Sequence, residues 1–253
     1  MKKNKIILII GGHDPTGGAG ITADVETAKS FNYHSLSILT CATVQNTSNF
    51  KKVYLMPKNY IIESYKKMVK EFKIDVIKIG LLPTLRASKE VFEILKDKKN
   101  RKIPIIIDPI IKSGSNKILT SNANLNYIIK NIYPLATLLT PNLYEYKIIK
   151  KNKNFLNKNS IKNILITNYI VENGKITIKL NNYLNKAKFF LTKEFNRNFH
   201  GTGCTFATAL ACNISISNDI EKSIKISLTF MKKVASKSKI KGKKQFLLNR
   251  NDL

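Results

Sequence analysis

Short apolar runs alternate with amphipathic stretches along the whole chain, which is the pattern of repeated βαβ units. Residues 5–10 read as a buried strand and 19–32 as a helix following a glycine loop. A second strand is expected over 35–42. Residues 60–72 carry Ile61, Ile62, Tyr65, Met68, Val69 and Phe72 at helical spacing. Strands are expected over 75–79, 104–107, 137–139 and 164–167, with helices over 89–96, 124–132 and 143–149. Period-two alternation over 175–180 and 188–191 suggests a small antiparallel excursion. Two helices, 202–216 and 220–236, close the chain. No linker, repeat or internal boundary interrupts the pattern, so one domain over 1–253 is expected.

Composition changes this picture little. A chain of 253 residues that is 43% hydrophobic can bury a full core. No stretch approaches the ~20 apolar residues of a membrane span. The basic start and short apolar run at the N-terminus could pass for a secretion signal. Gly11-Gly12-His13-Asp14-Pro15 interrupts the run where its apolar core should continue, so a first strand is the better reading. Cys41, Cys204 and Cys212 form neither an even disulfide framework nor a metal-binding C-x-x-C pair, and a reducing cytoplasm is expected.

The formal charge of +28 invites a nucleic-acid reading. The lysines, however, are spread from end to end and travel with abundant Asn and Ile, three residues of A/T-rich codons. Base bias accounts for all three together. No nucleic-acid motif is present, and no specific nucleic-acid partner is expected.

Polar motifs fall just after the expected strand ends: Asp14, Gln45-Asn46, Gly80, Asp108 and Asn142. In open α/β sheets, ligands bind outside the carboxyl ends of the strands. The most informative segment is His200-Gly201-Thr202-Gly203-Cys204-Thr205, where two glycines flank a threonine at the start of a small-residue helix. Such a turn lets successive N–H groups converge on an anion, reinforced by the helix field. A thiol placed there is expected to have a lowered pKa and to act as base or nucleophile. The alternative is a plain helix start with an inert, buried cysteine. Asn142 with Glu145 three residues later can be a capping box, a metal-binding pair, or both.

Taken together, Gly11–Asp24, Ala42-Thr43-Val44-Gln45-Asn46-Thr47, Lys78-Ile79-Gly80-Leu81-Leu82, Asp108-Pro109 with Lys112-Ser113-Gly114, Thr140-Pro141-Asn142-Leu143-Tyr144-Glu145 and the Gly201–Cys204 loop occur in one order. That order resembles the hydroxymethylpyrimidine/phosphomethylpyrimidine kinases of thiamine biosynthesis, in the ribokinase superfamily, over nearly the whole chain. The resemblance implies a ribokinase-like three-layer αβα sandwich with a mainly parallel central sheet. It implies phosphoryl transfer from ATP, with Mg²⁺, to the alcohol of 4-amino-5-hydroxymethyl-2-methylpyrimidine and then to its monophosphate. Cys204 would stand in the place of the general base, and Gly201, Thr202 and Gly203 would hold the transferring phosphoryl. Gln45 would bind the aminopyrimidine, Asp24 would lie near the hydroxymethyl group, and Gly11 and Leu81 would contact the ring. Asp108 and Glu145 would hold the metal, while Asn142 and Lys112 would face phosphates. A homodimer is implied by the resemblance alone.

Two departures stand out. His13 replaces the serine or threonine usual in the family. Thr167-Asn168-Tyr169 replaces a lysine–glycine–glycine–histidine segment that contributes to nucleotide binding. Ile240-Lys241-Gly242-Lys243 only loosely matches the family's glycine-rich nucleotide-side segment. A pyridoxal or pyridoxine kinase, and a pyrimidine-binding relic without catalysis, are the competing readings.

Overall fold

Ile7, Leu8, Ile9 and Ile10 are all fully buried, and their side chains alternate between two separate apolar clusters. A strand whose two faces both disappear into a core must have helices on either side. In the computed structural model, which describes residues 5–100, 102–113, 117–155, 161–182 and 186–251, that is what is found. Gly114 lies outside the described residues.

The sheet has nine strands among the described residues. They are β1 (Lys5–His13), β2 (Tyr33–Gln45), β3 (Phe50–Leu55), β4 (Val76–Ile79), β5 (Ile105–Ile107), β6 (Leu138–Leu139), β7 (Asn163–Glu172), β8 (Lys175–Asn182) and β9 (Ala187–Lys193). Their spatial order is β3-β2-β1-β4-β5-β6-β7-β8-β9. The six from β2 to β7 run parallel, and β3, β8 and β9 are antiparallel at the margins. One face packs on α2 (Tyr60–Met68), α3 (Leu85–Lys96), α4 (Asn122–Tyr127) and α5 (Leu143–Lys151). The other packs on α1 (Gly20–Ser30), α6 (Thr202–Ser217) and α7 (Ile220–Lys237). This is the expected three-layer αβα sandwich.

The chain leaves β1 toward β2 on one side and returns to β4 on the other, so the winding reverses between β1 and β4. A crevice opens at the carboxyl ends there. Gly11 and Gly80 border it, with Gly80 N–H donating to Ile10 O (2.8 Å).

Several expectations are corrected. The strand β3 was not anticipated, nor was the two-residue parallel pair β10 (Phe199–His200) with β11 (Phe246–Leu247). Strands β8 and β9 form the expected antiparallel pair, which extends the main sheet. They are joined to β7 by Asn173 and Gly174, both at positive φ as a two-residue hairpin turn requires. The helix expected over 60–72 ends at Met68. The one expected at 89 begins at Leu85, where the Thr84 side chain accepts from Ala87 N–H. The span 124–132 is α-helical only to Tyr127 and continues as one π turn over Ile128–Ile132.

Candidate active site

A cavity of about 270 Å³ sits over the crevice, and all twelve residues singled out from the sequence line it. They arrive from the ends of β1, β2, β4, β5 and β6 and from the starts of α1, α5 and α6. A second recess of about 600 Å³ lies beside it, and Asn142, Thr167, Thr202 and Gly203 belong to both walls. The first turn of α6 therefore stands between two binding spaces.

That turn is built around Gly201, at φ +72°, a conformation that favours glycine. A Cβ there would lie 1.9 Å from Gly18 O, so glycine is also the only residue that fits. Gly201 offers no side-chain cap, and the first ladder bond is Thr205 N–H to Gly201 O (3.0 Å). The amides of Thr202, Gly203 and Cys204 precede that ladder and are left to bind something else. With the helix dipole behind them they form an anion cradle.

Beneath the cradle lies a buried charge cluster. Lys78 Nζ is 2.7 Å from Asp24 Oδ2, with both side chains 1% exposed. Asp24 Oδ1 accepts from Thr208 Oγ1 at 2.8 Å. Burial works against the lysine's charge, but Asp24, backed by Asp108, outweighs it and holds the ammonium charged. Asp108 is pushed up by burial and by Asp24, against the pull of Lys78 and a hydrogen bond with Cys204. The Cys204 thiol corrects an expectation. Burial raises its pKa to about 12, and the opposing pull of Lys78 and of Gly20 N–H does not offset this. In the free protein the thiol is neutral, because complete desolvation outweighs the helix field. Asp24 does line the cavity, but both of its oxygens are engaged. Its principal contact is the lysine.

Asn142 and Glu145 form a complete capping box. Glu145 N–H donates to Asn142 Oδ1 (2.9 Å), and Asn142 N–H donates to Glu145 Oε2 (3.0 Å). Glu145 Oε1 accepts from Ile111 N–H at 3.3 Å. Burial and the neighbouring Asp108 push this carboxyl up to about 8, against the pull of both amides. Among the described residues no cluster of three or more His, Cys, Asp or Glu could hold a metal ion by itself. The donor set nevertheless suits Mg²⁺, which takes one or two carboxylates and completes its shell with water and phosphate oxygens. Asp108 and Glu145 are two hard carboxylates lining one cavity whose charges are mutually unfavourable, and a divalent cation relieves that strain.

The remaining residues surround the cavity mouth. Gln45, at the end of β2, is half-buried, and its side-chain amide has no hydrogen-bond partner among the described residues. Leu81 and Gly11 form apolar wall. Lys112 is half-buried with its ammonium 4.2 Å from the centre of the Tyr144 ring, so it belongs to the cleft. His13 also lines the cavity.

Sequence reasoning gave no role to three side chains. Lys78 betrays itself only as a lone charge within the buried strand Val76–Ile79. His200 Nε2 lies 2.7 Å from Asp14 Oδ2. Burial raises the Asp14 carboxyl, but hydrogen bonds from His200 and Thr16 outweigh it and hold it below the usual range. Arg250 is 1% exposed and gave no signal at all. Of the segment expected to face nucleotide, Thr167 and Asn168 line the second recess, while Tyr169 turns to Phe189, with ring centres 6.1 Å apart. Gly242 does not belong to that recess. A Cβ on it would strike Thr47, which places Gly242 beside the loop that follows Gln45.

The sequence and the fold both have known counterparts. The bacterial hydroxymethylpyrimidine/phosphomethylpyrimidine kinase of Aquifex aeolicus is 30% identical over 250 residues, covering 94% of this chain and 97% of its own. The structure of a Bacillus subtilis pyridoxal kinase in complex with ADP superposes with TM-score 0.84 at 20% identity, covering 98% of each chain. The crystal structure of a phosphomethylpyrimidine kinase from Clostridium difficile superposes with TM-score 0.74 at 24% identity, covering 91% of this chain and 99% of its own. The family model described as phosphomethylpyrimidine kinase matches residues 14–249, and the chain belongs to that family.

Proposed function

We propose that this chain, acting as one kinase domain over residues 1–253, transfers the γ-phosphoryl of ATP to the alcohol of 4-amino-5-hydroxymethyl-2-methylpyrimidine. A second transfer to the resulting monophosphate yields the pyrophosphate used in thiamine assembly. The observation that carries this reading is the position of the Thr202–Cys204 amides between two recesses. An acceptor in one and a nucleotide in the other would meet at the cradle. Phosphoryl transfer needs mainly such positioning and neutralisation of charge.

In this reading Gln45 binds the aminopyrimidine edge, since its amide offers both acceptor and donors. Gly11 and Leu81 flank the ring. The amides of Thr202, Gly203 and Cys204 stabilise the transferring group. Cys204 takes the alcohol proton as the thiolate, the minor form that Lys78 and the Gly20 amide favour. Lys78 keeps the cluster from accumulating negative charge. Asp108 and Glu145 would hold a magnesium ion, which would supply neutralisation of the polyphosphate charge. Asn142 and Lys112 face the phosphates, and Thr167 and Asn168 line the nucleotide recess without contributing a cation.

The buried thiols of Cys41, Cys204 and Cys212 suit a reducing cytoplasm. No helix among the described residues is long and apolar enough to cross a membrane. The homodimer implied by the family is tested by light scattering on the purified protein. Incubation with ATP, Mg²⁺ and the pyrimidine alcohol, followed by chromatography, tests the activity. Monophosphate and then pyrophosphate are expected, with a higher kcat/KM for the pyrimidine than for pyridoxine. Pyrimidine binding without any product refutes the kinase reading.

A further inference from the structure

The anion cradle does not stand alone. Its Gly201 is pressed against the Gly18 carbonyl, and Gly18 in turn lies so close to the His200 ring that a Cβ on it would be 2.4 Å from Cδ2. Two glycine-bearing turns, residues 14–20 and 201–204, thus interlock. On the cavity side they are tied by His200 and Asp14. On the opposite side a single side chain holds them.

That side chain is Arg250. Its guanidinium donates from Nη2 to Gly18 O (2.6 Å), from Nη1 to Gly17 O (3.2 Å), and from Nε to Thr205 Oγ1 (2.9 Å). Thr205 Oγ1 donates in turn to Gly201 O at 2.9 Å. Glu26 Oε2, 3.0 Å from Nη1, balances the charge. The Arg250 carbonyl accepts from the Ser30 hydroxyl, which fixes the backbone on the end of α1. Pairing of β11 with β10 delivers residue 250 to this place, since Leu247 sits beside His200. Arg250 borders neither recess. The family match ends one residue before it.

We infer that Arg250 is a positioning residue that clamps the 14–20 turn to the first turn of α6 and so fixes the aim of the Thr202–Cys204 amides. The planar fork suits the task, because one rigid group spans two carbonyls and a hydroxyl on different elements. A lysine ammonium cannot span them. The inference rests on the kinase reading and deepens it. Relaxing the clamp leaves Gln45, Gly11 and Leu81 in place on the sheet, so pyrimidine binding is spared. It lets the cradle drift from the transferring group, where a displacement near 1 Å costs about 10²-fold in rate.

Arg250→Gln, Arg250→Lys and Arg250→Ala are compared with the unaltered protein by turnover, thermal melting and hydrogen exchange. For folded Arg250→Gln and Arg250→Lys, kcat is expected to fall about 10²-fold, with KM for the pyrimidine alcohol changed by less than about three-fold. Guanidinium ion added to Arg250→Ala should recover at least about ten-fold of the lost rate. An unchanged kcat overturns the inference, as does a loss of kcat shared equally by KM and unrescued by guanidinium. If the unaltered protein transfers no phosphoryl group, the kinase reading falls and hydrogen exchange decides the clamp. Faster exchange in Arg250→Gln confined to residues 14–20 and 205–208 supports it. Exchange unchanged there, or raised throughout the chain, overturns it.

Discussion

Replacing Lys78 with methionine preserves the length of the side chain and removes its charge. The ammonium is 2.7 Å from Asp24 Oδ2, and neither side chain is more than 1% exposed. Removing one member of such a pair strands the other in a dry interior, at a cost of ~3–5 kcal/mol. In a chain of this size each kcal/mol moves the melting temperature by about 2–4 °C, so a drop of about 6–20 °C is expected. Asp24→Asn breaks the same pair from the other side. Its amide oxygen can still accept from Thr208, so its penalty should be the smaller of the two. The double variant carries no stranded charge and should be more stable than the sum of the single losses implies, with a coupling of about 2–3 kcal/mol. Urea unfolding of all four proteins measures that coupling. Additive losses, or a Lys78→Met penalty below about 1 kcal/mol, would refute the picture of a desolvated pair. Turnover should part company with stability. The double variant stays slow, because Cys204 and Asp108 have both lost the cation that lowers their pKa.

The other variants probe the proton path and the metal side. A thiol with pKa about 12 is only ~10⁻⁴ ionised at pH 8, so iodoacetamide should modify Cys204 about 10³-fold more slowly than an ordinary cysteine; mass spectrometry reads the site. Cys204→Ala should slow the first transfer by about 10²–10⁴-fold. The second transfer should suffer less, because a phosphate monoester is largely deprotonated at neutral pH; equal losses in the two steps would sink the base role. Glu145 titrates near 8 in the folded protein against an ordinary 4.5. A raised carboxyl contributes stability that is complete below about pH 4.5 and lost as pH rises through about 8. Wild type should therefore lose ground against Glu145→Gln in melts between pH 5 and pH 9, since glutamine keeps the cap. A difference that does not vary with pH excludes the buried, metal-ready carboxyl.

What could be read from the chain followed from local periodicity. The Ile7–Ile10 run and the strong helices α6 and α7 carry their own signals. Strand β3 was hidden because Lys51 and Lys52 break its apolar pattern and it sits on an exposed edge. Strands of two residues, β10 and β11, are too short for any period to register. The composition of the site was legible as motifs, but its electrostatics were not. The helix field at Cys204 is local and suggests a lowered pKa, whereas the burial that reverses it comes from the whole fold. Likewise, nothing near Lys78 in sequence announces Asp24, 54 positions away. Gly242 illustrates the same limit, since its glycine-rich context pointed to the nucleotide side, whereas it packs against Thr47 and does not line the second recess.

The pairing of Phe199 and His200 with Phe246 and Leu247 also has a consequence for biosynthesis. Translation proceeds at ~5–20 residues per second, so residues 201–204 leave the ribosome about 2–10 s before residue 250 follows them. During that interval the nascent chain has its central sheet and the glycine turns but lacks the short strand and the arginine that lock them together. Catalytic competence should therefore arrive abruptly, once residue 250 has emerged, rather than growing with chain length.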